Sequence, residues 1–165
     1  MSTQPFDIGL VRDRIRQGVS DKELRQVQGS ADYAAVQALR DFPAPCCYVL
    51  LAREMPLETK TGASLPGQQT RLAQLVEVNF AVVTVCRNYR EQRGGQVIDE
   101  LRILLGKVRQ PLLGWTPPIA GGRACQLIEG NLEDYDAATA LWVDVWKTQA
   151  LSLIHISEPT RRRGI

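Results

Sequence analysis

Val78-Asn79-Phe80-Ala81-Val82-Val83-Thr84-Val85-Cys86 is a β-branched, apolar run with the composition of a sheet interior. Charged Arg87 to Glu91 and then Gly94-Gly95 break it. From Gln96 the period changes: Val97, Leu101, Leu104 and Val108 recur at helical spacing, with Ile98 and Leu105 flanking the same stripe. Pro111 stops that helix, and the chain leaves through Leu112-Leu113-Gly114-Trp115-Thr116-Pro117-Pro118. A buried strand followed by a helix that lays its stripe back on the sheet is the nucleus of a small domain with both element types.

Upstream of this nucleus, Phe6, Leu10, Val11 and Ile15 predict a first amphipathic helix ending at Gly18. Leu24 to Gln28 alternates and reads as a short edge strand. Ser30 is the expected N-cap of a second helix, Ala31 to Asp41, with Tyr33, Val36, Ala38 and Leu39 inward. Pro43 and Pro45 close it and lead into a second central strand, Cys46 to Ala52. Arg53 to Gln69 carries Pro56, Gly62, Pro66 and Gly67 without apolar period and is expected to be a long loop. Thr70 to Cys86 is too long for one strand of a small sheet, so part of it is expected to project from the body.

Downstream, Ala124 to Gly130 predicts a strand ended by a turn at Gly130-Asn131. In Leu141 to Trp146, Leu141, Val143 and Val145 alternate with Trp142, Asp144 and Trp146. That pattern predicts a strand exposing Trp142 and Trp146 on its outer face. The element order favours an α+β fold, a mixed or antiparallel sheet packed against two or three helices with a long projecting loop or hairpin.

The last residues read differently. Leu151 to Arg161, LSLIHISEPTR, matches the in-frame translation of a transposase-type sequencing adapter, and Arg162 to Ile165 fits the index that follows it. The expected native domain is therefore residues 1–150, with the native C-terminus beyond Ala150. Removing 151–165 takes Lys+Arg from 20 to 17 and Asp+Glu from 18 to 17, so the net charge falls from +2 to zero. The basic tail is then no argument for nucleic acid. His155 is the only histidine, and without it no Ser-His-Asp or Cys-His system can be built.

Little else carries chemistry. Gly94-Gly95 and Gly121-Gly122 lack the spacing of a nucleotide-binding loop. Asp99-Glu100 and Glu133-Asp134 read as solvated acidic faces. Cys46, Cys47, Cys86 and Cys125 lack zinc-site spacing; adjacent Cys46 and Cys47 point to opposite faces of a strand, and all four read as buried reduced thiols. No apolar run reaches the roughly 18 residues of a membrane span. No catalytic residue, metal or cofactor is expected. The residues describe an interaction module that associates with itself.

Phe80 to Asn88, Gly95 with Val97 to Leu101, Leu112 to Pro117 and Leu141 to Thr148 resemble segments of the tail terminator proteins of tailed bacteriophages and prophages. Val27 to Asp32 and Phe42 to Leu50 fit the same pattern. The family's phenylalanine near Val145 or Trp146 is replaced here by tryptophan. The resemblance implies a structural virion protein, assembled in the bacterial cytoplasm, that forms a hexameric ring on the head-proximal end of the tail tube. Such a ring stops tube polymerisation and presents a head-docking surface. The implied partners are further copies of itself, the tail tube protein and a head-completion or connector protein, with no membrane and no direct nucleic-acid contact. Candidate interface residues are Glu58, Lys60, Gln68, Gln69 and Arg71 on the arm, and Trp115, Trp142 and Trp146 on the body. Rival readings are another head-tail connector, a minor tail protein, or a small enzyme using Cys86 or the Asp99/Glu100 pair.

Overall fold

The computed structural model describes residues 4–57, 71–87 and 94–155. In chain order the elements are α1 (Gly9–Gly18), β1 (Gln26–Gln28), α2 (Ser30–Ala35), a 3-10 turn (Leu39–Asp41), β2 (Cys46–Pro56), β3 (Arg71–Arg87), α3 (Gly94–Arg109), β4 (Gln126–Tyr135) and β5 (Thr139–His155). The strands form one sheet in the order β1-β2-β3-β5-β4. β1 runs parallel to β2, and every other pairing is antiparallel. This is the mixed sheet of an α+β fold.

The apolar run at Val78 to Cys86 sits at the centre of the sheet because it is buried on both faces. One face carries Val78, Phe80, Val82 and Cys86, packed with Cys47, Val49 and Trp146 under Val11 and Ile15 of α1 and Leu101, Leu104, Leu105 and Val108 of α3. The other carries Val83 and Val85 with Cys46, Tyr48 and Leu141, covered by Phe42, Tyr33, Val36 and Leu39. Cys46 and Cys47 thus face opposite layers, as alternation requires.

Several expectations are corrected. Thr70 to Cys86 does not divide between sheet and projection: β3 is one 17-residue strand, paired with β5 from Arg71↔His155 to Arg87↔Thr139. The expected loop starts later than Arg53, because β2 continues to Pro56 and pairs as far as Val76. The segment expected to project, 58–70, lies outside the described residues. β5 also runs past Ala150, with Leu151 to His155 opposite Leu75 to Arg71. Such a ladder is made of backbone groups, so it accepts almost any side chains at these positions.

The predicted helix 31–41 is interrupted. Ser30 is its first helical residue rather than its cap, and Val36 turns extended at φ −83°, ψ 122°. The reason is spacing. Tyr33, Val36, Leu39 and Phe42 all cover the same sheet face, yet they stand three residues apart. In an α-helix that spacing drifts by roughly 60° per step, so a straight helix cannot bury all four.

The turn expected at Gly130-Asn131 is absent, and β4 continues through it to Tyr135. The hairpin closes instead at Asp136 to Thr139. There Asp136 N–H donates to Thr139 O at 2.8 Å, and the Asp136 carboxylate accepts from Ala138 N–H at 2.8 Å and Thr139 N–H at 2.7 Å. Gly121, at φ +71°, is a glycine the fold does require, because side chains rarely adopt that backbone conformation.

The face of Trp142, Asp144 and Trp146 is also inverted relative to expectation. It is the inner face, and Trp146 is 0% exposed, stacked on Phe80 with ring centroids 6.4 Å apart. Trp146→Ala is expected to lower unfolding free energy by about 3–5 kcal/mol in urea denaturation. Trp146→Phe should cost far less, since it also removes an indole N–H that has no acceptor among the described residues. A surface tryptophan would give a change within about 0.5 kcal/mol for both.

Candidate assembly interface

Asp144 is the charged residue around which the β4–β5 end of the sheet is organised. It is 1% exposed. Arg109, at the end of α3, donates to it through Nε and Nη2, both at 2.7 Å. The Trp142 indole donates to the same carboxylate at 2.7 Å, and the Arg109 guanidinium carbon lies 5.9 Å from the Trp142 ring centroid. These hydrogen bonds to Asp144 push the Arg109 pKa above its ordinary value. Gly130 stands directly opposite Asp144 in the sheet. A Cβ there would meet the Asp144 carboxylate at 2.7 Å, Trp142 at 2.9 Å and Arg109 at 3.0 Å. The glycine read as a turn is thus the space into which this group fits.

Of the residues expected at the interface, Arg71, Trp115, Trp142 and Trp146 are among those described. Glu58, Lys60, Gln68 and Gln69 lie outside the described residues. Arg71 opens β3 opposite His155. Trp115 is half-buried against the core, with the Arg14 guanidinium 5.6 Å from its ring centroid and Arg14 Nε donating to Pro111 O at 2.8 Å. Trp142 is half-buried in the Asp144 group. Trp146 offers no surface at all. The expectation of an exposed tryptophan face is therefore withdrawn: α3 and the Arg109–Asp144 pair cover it.

What remains open is a different surface. α2 and the 3-10 turn cover one end of their face of the sheet, and Leu50, Val143 and Val145 beyond them stay half-exposed. β4 is a sheet edge, and its Ile128, Leu132 and Tyr135 are exposed. Sequence reasoning passed over them because apolar residues there are spaced by bulges rather than by strict alternation. The register shifts between Leu127 and Glu129, and again between Leu132 and Asp134.

Residues 1–153 match the protein-family model described as phage tail terminator protein. The chain belongs to this family. A search of the curated proteins gives no match. Membership makes the chain a structural protein of the phage tail and a component of the virion tail. Burial pushes Cys46, Cys86 and Cys125 each up to about 11, and Cys47 is raised further, which keeps the thiols protonated near neutral pH. Glu100, beside Cys86, reinforces its shift rather than activating it.

Removing one partner of the buried ion pair should be costly. Asp144→Ala is expected to destabilise by about 3–5 kcal/mol, because Arg109 and the Trp142 N–H lose their acceptor. Gly130→Ala should cost about 1–3 kcal/mol by displacing the same group. Chemical denaturation of the two variants checks both.

The thiols give a pH prediction. Unfolded cysteines ionise near 9.0 while Cys46, Cys86 and Cys125 in the folded state hold their protons to about 11. Their contribution to stability is therefore complete below pH 8 and lost as pH rises from 9 through 11. A thiol reagent at pH 7.5 should label no cysteine in native protein and all 4 in urea.

Proposed function

We propose that this protein caps the head-proximal end of the phage tail tube, halting tube polymerisation and forming the surface on which the head docks. The observation that carries the reading is the family match over residues 1–153. The fold supports it physically. A rigid sheet with helices on both sides can present different flanks to different neighbours, as a closed ring of identical subunits requires. The ring is a homo-hexamer assembled in the host cytoplasm, from a phage or a prophage genome. Its further partners are the tail tube protein on one side and a head-completion or connector protein on the other.

The arm between Pro56 and Thr70 reaches the adjacent subunit or the tube, with Glu58, Lys60, Gln68, Gln69 and Arg71 as its contact residues.

Native mass measurement should give six copies for the purified protein. Adding it to polymerising tail tube protein should stop growth, with the protein at one tube end in negative-stain images. Deleting Glu58 to Gly67 should abolish ring formation or tube arrest. Unchanged rings and unchanged tube length would remove the arm from the interface, and a protein decorating the distal end would point to a minor tail protein instead.

A further inference from the structure

The two flanks of the sheet differ in charge. On the β4 side, Gln126 to Thr139 holds four carboxylates, Glu129, Glu133, Asp134 and Asp136, and no lysine or arginine. On the opposite side, Arg12 to Gln28, spanning most of α1 and all of β1, holds five cations and three carboxylates. Glu23 is engaged by Lys107 at 2.8 Å and Asp13 by Arg16 at 3.6 Å, while Arg14 lies against Trp115. Sheet order places these flanks at opposite edges.

We propose that the acidic β4 flank docks on the α1–β1 flank of a second copy, so that each subunit uses one flank for each of two neighbours. The inference rests on the self-assembly proposed above and assigns its surfaces. A contact between two different flanks is heterologous, which is the geometry that propagates around a ring. Complementary charge steers the encounter and fixes its register.

Two features decide how the flank is used. Bulges at Ile128 and Glu133 break the β4 backbone into short pieces, so the edge is a poor template for adding another strand. The contact is therefore made by side chains. A bulged, charged edge also discourages aggregation, but that role does not call for Ile128 at 49%, Leu132 at 37% and Tyr135 at 66% exposure on the same strand. Nor does it call for opposite charge on the far flank. Carboxylates around a small apolar centre, facing a flank with excess cations, are what a docking surface for another copy needs.

The test uses the full chain and charge exchange, read by sedimentation velocity at low and at physiological salt. Glu129→Lys with Glu133→Lys and Asp134→Lys turns the β4 flank net basic, so both flanks are basic; Lys22→Glu with Gln26→Glu turns the α1–β1 flank net acidic, so both are acidic. All five positions are exposed. Each variant alone should associate at least tenfold more weakly than the unaltered protein, and circular dichroism should report the same fold. Mixing the two variants should restore assembly, because every new contact then pairs a basic flank with an acidic one. Salt should weaken the unaltered assembly. If a variant fails to fold, Glu133→Lys alone, at a bulge, should weaken assembly in the same direction by reducing the acidic charge of the β4 flank. An unaltered protein that stays monomeric overturns the self-assembly itself. An unaltered protein that assembles, with variants that assemble equally well or with a mixture that shows no rescue, overturns the assignment of these flanks alone.

Discussion

The long antiparallel ladder between β3 and β5 is the constraint from which the rest follows. Within the expected native domain the two strands stay in register without a bulge from Arg87↔Thr139 to Val76↔Ala150. That pairing fixes Phe80 opposite Trp146, and their stacked rings make a flat apolar floor for α1 and α3. It also places Asp144 where the end of α3 can reach it. A register slip of one residue would turn the tryptophans and the aspartate outward and leave Arg109 without its acceptor. Hydrophobic burial supplies most of the driving force here, and the buried ion pair selects one register among those that burial alone would allow.

Much of this was legible before any coordinates. The element order, the two-faced burial of Val78 to Cys86, the α3 stripe at Leu101, Leu104 and Val108, and the opposed Cys46 and Cys47 follow from periodicity alone. What failed did so for reasons periodicity cannot carry. The alternation in Leu141 to Trp146 was correct, but its faces were exchanged. An aspartate between two tryptophans resembles a wet surface, and its burial depends on Arg109, 35 residues away. Gly130 was misread because one glycine signal serves both a tight turn and a close approach of side chains. The second helix broke because residues three apart had to face one way.

The candidate surface was less legible than the fold. Family membership follows from motifs spread over most of the chain, yet those motifs are structural and do not say which surfaces meet a neighbour. Tryptophan was the obvious guess for an interface, since it is a common anchor there. In this fold all three tryptophans pack at least partly into the body. The open surface is instead the edge strand β4, whose bulges hide its apolar residues from a two-residue period.

The four cysteines have a bearing on the life of the particle. A virion component persists in aerated surroundings. All four thiols are buried and unbridged, and burial holds them in the unreactive protonated form. The subunit therefore keeps one covalent structure in those surroundings. No oxidation step is needed to mature it, and none is readily available to damage it.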